Sequence, residues 1–195
     1  MRLSQVEDKI LRREGTKLKK KFLVHATTED KLPSIREKGL LPRKLAGCYV
    51  WGDERIPYGA KPEEVLRCRP NNIYFWDDLY EGIGQALATV AYLKKGDPAI
   101  VIVDVGDIRD KLKLDFEVHR WGPPEEEEPT SYMYEGTIPP EKIICTCHLS
   151  EEYKPDTGKV ACPMIHEPEE CPNYNVETLI EEFNDTSKWV CKCKL

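Results

Sequence analysis

The sequence lacks several features that would define its class at once. No apolar run approaches the roughly 18 residues that a membrane-spanning helix needs, no signal-peptide pattern opens the chain, and no internal repeat is visible. Basic residues are not in excess, since 29 Lys and Arg stand against 35 Asp and Glu for a formal net charge of −6. Nonspecific nucleic-acid binding needs Lys and Arg to neutralise phosphates, so the balance disfavours it. We expect a soluble, cytoplasmic protein without a membrane partner.

Cysteine, in contrast, is abundant, with eight residues in a chain of 195. Two Cys-x-Cys pairs, Cys145 with Cys147 and Cys191 with Cys193, fall in the last third of the chain. A tetrahedral zinc ion needs four such ligands, which usually arrive as two close pairs from separate segments. The pattern therefore allows a zinc site on these four residues, disulfides or buried free thiols, and the sequence leaves the three alternatives open.

Short strands and short helices interleave along the chain. A capping-box pattern from Ser4 to Glu7 predicts the start of a first helix, which ends near Gly15. The hydrophobic pattern predicts further helices from Leu32 to Gly39, from Asp78 to Gly96 and around Val176 to Phe183. It predicts strands over Phe22–Ala26, Asn72–Trp76, Ala99–Val105, Lys111–Val118, Ser131–Glu135, Lys142–Leu149 and Trp189–Cys193. Because regular βαβ units are absent, the order favours an α+β fold over a doubly wound sheet.

The length of the chain favours one main domain with an appendage. We assign residues 1–149 to the main domain. Residues 150–195 then form a Cys-rich C-terminal extension packed on it.

Polar side chains interrupt three of the apolar strands. His25 lies in the first strand, Tyr74 in the second, and Ser131 or Glu135 in a later one. A buried imidazole is costly without a hydrogen-bond partner, so a partner for His25 is expected. Each residue alone also fits an ordinary structural role, namely a core histidine, a half-buried tyrosine and a solvent-facing strand residue.

Together with the surrounding glycines and prolines, these strands resemble a known family. The segments that carry the resemblance are His25-Ala26-Thr27, Ile35 to Leu40, Ile73-Tyr74-Phe75 with the helix from Asp78, and Ile138 to Ile143. They resemble the ADP-ribosyltransferase fold in its His, Tyr, Glu branch, especially DarT-type DNA ADP-ribosyltransferases and tRNA 2′-phosphotransferases. The resemblance spans Phe22 to Ile144 and implies a split mixed or antiparallel sheet with short helices.

The resemblance also implies NAD as a substrate and gives roles to individual residues. His25 would hydrogen-bond the NAD ribose, the backbone at Ala26 would hold the nicotinamide amide, and Tyr74 would stack on the nicotinamide ring. An arginine just past the second helix, Arg43, is suited to bidentate contact with a pyrophosphate. The implied NAD-binding set is His25, Ala26, Thr27, Arg43, Tyr74 and Ser131.

The catalytic glutamate is the point at which the sequence departs from the family. The usual position, a few residues before the proline pair, falls on Ser131 or Tyr132. Because side chains alternate along a strand, Ser131, Met133 and Glu135 share a face, and Glu135 is the candidate carboxylate. A negative charge at this place would stabilise the oxocarbenium character that develops on the ribose. The implied catalytic residues are Glu135, His25 and Tyr74.

These observations favour an NAD-dependent ADP-ribosyltransferase acting on a macromolecular acceptor, either protein or nucleic acid. One alternative is a module that binds NAD or ADP-ribose without catalysis. A second is an RNA 2′-phosphotransferase, which would need clustered arginines, and here Arg36, Arg43 and Arg67 or Arg69 are the candidates. A third is an α+β domain whose likeness to the family is accidental.

Overall fold

The computed structural model describes residues 1–10, 18, 21–42, 72–93, 96–114, 131–153 and 183–194. The helices in these ranges are α1 (Leu3–Ile10), α2 (Leu32–Lys38) and α3 (Leu79–Leu93). The strands are β1 (Phe22–Thr28), β2 (Asn72–Trp76), β3 (Pro98–Asp104), β4 (Lys113–Leu114), β5 (Ser131–Glu135), β6 (Ile143–Leu149) and β7 (Trp189–Cys193). The predicted helix around Val176 and the candidate arginines Arg43, Arg67 and Arg69 lie outside the described residues.

The seven strands form one sheet in the order β4-β5-β2-β1-β3-β6-β7. Every registered pair of neighbouring strands is antiparallel. The α+β class predicted from the sequence is therefore confirmed, with an antiparallel sheet. No helix in the described ranges is long and apolar enough to cross a membrane.

Local sequence signals account for the start of one helix and for the end of another. Asp78 begins α3, because its carboxylate accepts hydrogen bonds from the backbone N–H groups of Tyr80 and Glu81 at 2.8 and 3.1 Å. Gly39 ends α2 with a φ of 79°, a conformation that glycine adopts without strain. Leu40 then pairs with Ile138.

The first helix begins two residues earlier than its sequence pattern predicts. The side chain of Gln5 accepts a hydrogen bond from the Arg2 backbone N–H at 3.0 Å, so Arg2, not Ser4, is the residue that caps α1. Glu7, predicted as the far end of a capping box, instead accepts hydrogen bonds from Thr186 and from Tyr80. These contacts link α1 to α3 and to the turn that precedes β7.

The sheet separates two hydrophobic cores. On one face, α1 and α3 cover Phe22, Val24, Ile100 and Ile102, together with the inward side chains of β6 and β7. On the other face, α2 covers Leu23, Val101 and Val103 together with Ile73 and Phe75 of β2. Strand β3 is buried on both faces, as its continuous β-branched run predicts.

The C-terminal strand is continuous with this sheet. Strand β7 pairs along its length with β6, and its other edge is partly covered by the first residues of the chain, since Arg2 pairs with Val190. The end of the predicted C-terminal extension is therefore the last strand of the main sheet.

Candidate functional site

The three strands that carry the predicted catalytic residues are neighbours in space. Strands β5, β2 and β1, which bear Glu135, Tyr74 and His25, follow one another in the sheet. Long stretches of chain separate them in sequence, so this adjacency is a product of the fold. The three candidate residues therefore lie on neighbouring strands.

The ladder between β1 and β2 is short. Strand β1 pairs with β3 from Phe22 to Thr28, but its register with β2 contains the single pair Val24 and Trp76. We call the following stretch, Ala26–Thr28 of β1 and Asn72–Tyr74 of β2, the β1–β2 split. Because the strands are antiparallel, the split lies at the end of the sheet where β1 ends, β2 begins and β5 ends.

His25 lies at the inner end of the β1–β2 split. Its ring Nδ1 lies 2.9 Å from the backbone carbonyl oxygen of Tyr74. A carbonyl oxygen can only accept, so Nδ1 carries the proton and donates. The same ring makes an edge-on contact with Phe75, with 6.1 Å between centroids. The partner expected for the imidazole, which is partly buried, is thus a backbone group of the second strand, and this contact fixes the tautomer and orientation of the ring.

The side chains of His25 and Tyr74 lie on opposite faces of the sheet. His25 shares the α2 face with Phe75, whereas the register of Val24 with Trp76 places Tyr74 on the α3 face. Ala26 also lies on the α3 face, packed against its core. The structure therefore brings the backbone of Tyr74 to His25, while their side chains face the split from its two sides.

Glu135 and Ser131 lie on the same face as Tyr74. Ser131 pairs with Trp76, Met133 with Tyr74, and Glu135 with Asn72. Ser131 is fully buried, whereas Glu135 is exposed and lies 3.4 Å from the ammonium group of Lys113. The shared face predicted for Ser131, Met133 and Glu135 is present. Glu135, the last residue of β5, is the member of this face farthest from His25. We call this exposed end of the split its open end.

Polar side chains are concentrated in the β1–β2 split. Thr27, Thr28 and Asn72 are all buried, and Thr28 donates to the carboxylate of Asp30 just beyond the strand. Buried polar groups require hydrogen-bond partners, so these three side chains form a polar group that is shielded from solvent. Arg43, the predicted pyrophosphate contact, lies outside the described residues.

A second polar group on the α2 face was not predicted. Arg36 donates from Nε to the hydroxyl of Thr146 at 2.8 Å, and Thr146 is buried. His148, two residues further along β6, donates from Nδ1 to the carbonyl of Leu149 at 2.8 Å and lies 3.7 Å from Glu29. Across the sheet, His25 is in register with Val101 and Val101 with Thr146. The sequence contains a signal for this group, because side chains alternate along a strand. Alternation along β6 places Thr146 and His148 on one face and Cys145 and Cys147 on the other.

The four cysteines proposed as metal ligands are brought together, but as two disulfides. Cys145 is joined to Cys193 and Cys147 to Cys191, across the ladder between β6 and β7. This is the disulfide alternative, and disulfide sulfur atoms are not the thiolates that zinc requires. The described residues contain no group of three or more metal-ligating side chains. Cysteines on one face of two paired strands hold their sulfur atoms in one layer. This arrangement is a poor match to the tetrahedral ligand geometry of a structural zinc ion.

Comparison with known proteins adds little to this description. No family model matches the sequence, and no curated protein matches it at a significant level. Among solved structures, EcPltA aligns with a TM-score of 0.40 and 12% identity over 67% of this chain and 76% of that chain. A TM-score of this size does not define a common fold.

Proposed function

We propose that this protein is an NAD-dependent ADP-ribosyltransferase that transfers ADP-ribose to a protein or nucleic-acid acceptor on an ADP-ribosyltransferase-type sheet. The observation that carries the proposal is the β1–β2 split. It lies between the strands of His25 and Tyr74, and the strand of Glu135 ends beside it. A strand edge outside a ladder presents N–H and C=O groups, which suits the proposed backbone contact between Ala26 and the nicotinamide amide.

In the proposed reaction, the bond between nicotinamide N1 and ribose C1′ breaks and its electron pair leaves on nicotinamide. An oxygen or nitrogen of the acceptor forms the new bond to C1′ and releases its proton to solvent. The carboxylate of Glu135 stabilises the positive character that develops on the ribose. It enters from the open end of the split, where it is exposed and paired with Lys113.

The remaining residues bind and orient NAD in this proposal. His25 contacts the ribose, and its ring is held for this role by the Tyr74 carbonyl. Tyr74 stacks on the nicotinamide from the α3 side of the split. Thr27, Ser131 and Arg43 complete the binding set.

A specific observation supports a second candidate function, the binding of NAD or ADP-ribose without catalysis. The position where the family places its glutamate falls on Ser131 or Tyr132, and Ser131 is fully buried opposite Trp76. Glu135 lies at the far end of the same strand, where its carboxylate is exposed and 3.4 Å from the ammonium group of Lys113. A protein in which Glu135 does not move towards the ribose would keep a binding split and lose the chemistry.

One sample can distinguish the two functions. Calorimetry measures the binding of NAD, and chromatography of the same mixture after incubation with cell extract measures free nicotinamide. A transferase binds NAD and releases nicotinamide in an amount that grows with time. A binding module gives the heat of binding and no nicotinamide, and neither signal would contradict both functions.

A further inference from the structure

The two termini of the described chain form one unit, whose strand β7 pairs with β6 and whose helix α1 packs on the core shared with β1 and β3. We call residues 1–10 and 183–194 the terminal unit. Within it, the backbone of Met1 exchanges hydrogen bonds with Cys191: the amino group donates to the Cys191 carbonyl at 3.2 Å, and the Cys191 N–H donates to the Met1 carbonyl at 2.6 Å. Thr186 donates to Glu7 of α1. The N-terminal helix is thus anchored to the C-terminal strand.

The terminal unit is attached to the sheet by two adjacent covalent links. The disulfides Cys145–Cys193 and Cys147–Cys191 join directly opposed residues of β6 and β7, and one further pair, Thr146 and Lys192, lies between them. Their Cα atoms are 4.1 Å apart in both cases, close to the spacing of an ordinary antiparallel pair without hydrogen bonds. The register of β6 and β7 is therefore compatible with free thiols as well as with disulfides.

Solvent reaches the two disulfides unequally. Cys145 and Cys147 are fully buried, Cys191 is 5% exposed, and Cys193 is partly exposed. Thiol–disulfide exchange requires a thiolate to reach a sulfur atom. Cys193 is therefore the entry point, and Cys147–Cys191 is shielded while the strand remains in place.

We propose that Cys145–Cys193 and Cys147–Cys191 are a reducible pair that controls the attachment of the terminal unit, and that they are reduced in that order by a dithiol reductant. A thiolate of the reductant attacks Sγ of Cys193 and forms a mixed disulfide. The bond to Cys145 breaks, and the Cys145 sulfur leaves with the electron pair and takes up a proton. The second thiol of the reductant then displaces Cys193, which is also protonated, and the reductant leaves as its own disulfide.

The same exchange at Cys147–Cys191 consumes a second dithiol and two further electrons. With both disulfides open, β7 is held by its backbone ladder and by the packing of Trp189, whose indole N–H donates to the Phe183 carbonyl at 3.0 Å. Helix α1 is held by the burial of Leu3, Val6 and Ile10. Each disulfide restricts the opening of the chain between its ends. The terminal unit should therefore open locally only after both are reduced, while β1 and β3 remain folded.

Hydrogen exchange followed by mass spectrometry tests the consequence on the full chain with dithiothreitol as the reductant. Exchange in peptides from 1–10 and 183–194 should rise at least roughly tenfold on full reduction, and peptides from β1 and β3 should not change. A variant with alanine at all four cysteines should exchange rapidly in these peptides with or without dithiothreitol. Unchanged exchange in the terminal unit of the reduced wild type, or an equal rise in β1 and β3, would overturn the proposal.

Brief reduction followed by alkylation tests the order in the wild-type protein. Label should appear on Cys145 and Cys193 before it appears on Cys147 and Cys191. Two matched variants that each lose one disulfide provide a second measurement, since both lose two sulfur atoms from the same layer. C147A/C191A should release the terminal unit soon after dithiothreitol is added, and C145A/C193A much later. The reverse order of labelling, or equal release from the two variants, would contradict the entry at Cys193.

Discussion

His25 donates a hydrogen bond through Nδ1 to the backbone carbonyl of Tyr74 over 2.9 Å, at the point where the ladder between β1 and β2 ends. The imidazole thus takes the place of a backbone donor across the two strands. This contact gives His25 a structural role in addition to its proposed contact with the NAD ribose, and substitutions can separate the two roles.

Replacing His25 with asparagine or leucine should have different effects on stability and the same effect on activity. The side-chain amide of asparagine can donate to the Tyr74 carbonyl in place of Nδ1, so H25N should remain close to wild type in its free energy of unfolding. H25L leaves that carbonyl without its donor and should lose about 1–3 kcal/mol. Both variants should lose NAD turnover. Urea unfolding measures the stability and nicotinamide release measures the activity. Full activity in H25N would contradict the proposed contact between His25 and the NAD ribose.

Glu135→Gln removes a charge and nearly preserves the shape of the side chain. If Glu135 stabilises the oxocarbenium character of the ribose, turnover should fall by about 10²–10³-fold while the dissociation constant of NAD is retained. Because the carboxylate is exposed, the free energy of unfolding should change by no more than about 0.5 kcal/mol. Calorimetry and initial rates on one preparation give both values. Turnover equal to that of the wild type would assign the chemistry to another residue.

Gly39 is required where α2 turns back towards Ile138. Its φ of 79° disfavours any side chain, and a Cβ atom would collide with the Ile138 carbonyl oxygen. Gly39→Ala should therefore cost about 2–4 kcal/mol in the free energy of unfolding.

Gly84 provides the control for this substitution. It lies inside α3, and a Cβ atom there meets nothing within 4 Å. Gly84→Ala should stabilise the protein by about 0.5–1 kcal/mol. Thermal unfolding of the two variants should shift in opposite directions, and equal shifts would show that the Gly39 turn is not specifically constrained.

Glu7 should make stability depend on pH. Burial raises the pKa of its carboxyl above the ordinary value of 4.5, although hydrogen bonds from Thr186 and Tyr80 oppose the shift. The folded state therefore binds this proton more tightly than the unfolded state. The resulting stabilisation is complete below pH 4.5 and is lost as the pH rises through the folded-state pKa.

Glu7→Gln removes this ionisation. The free energy of unfolding of E7Q minus that of wild type should increase as the pH rises above 4.5 and through the folded-state pKa of Glu7, and should then level off. Urea unfolding across this range measures the difference. Glu37→Gln, which removes an exposed carboxylate on α2, separates the effect of burial from the loss of one charge. A constant difference between E7Q and wild type would contradict the assignment.

Local features of the fold could be predicted from the sequence because short-range physics determines them. The apolar run from Asn72 to Trp76 defines a strand with the bounds that the structure has. Asp78 and Gly39 mark helix ends because a short carboxylate side chain caps N–H groups and only glycine adopts the required turn cheaply. The same reasoning misassigned the cap of α1, because Ser4 and Gln5 both fit a capping pattern and the sequence does not choose between them.

Long-range relationships could not be predicted from these signals. Nothing near Val24 specifies Trp76 as its partner, and a register shifted by one residue would bring Tyr74 to the face of His25. Likewise, the spacing of Cys145, Cys147, Cys191 and Cys193 suits either zinc or disulfides until the strands are known to be antiparallel and directly opposed. The candidate residues and the shared face of Ser131, Met133 and Glu135 could therefore be predicted, whereas the opposite faces of His25 and Tyr74 could not.

The transfer of label from NAD tests the central claim most directly. Purified protein is incubated with cell extract and with NAD labelled in its adenine ring, and the macromolecular fraction is then counted for wild type, H25N and E135Q. We predict that label accumulates on protein or nucleic acid with the wild type, together with an equal amount of free nicotinamide, and that both variants give neither. Wild-type protein that leaves the label in intact NAD would contradict the proposed transferase.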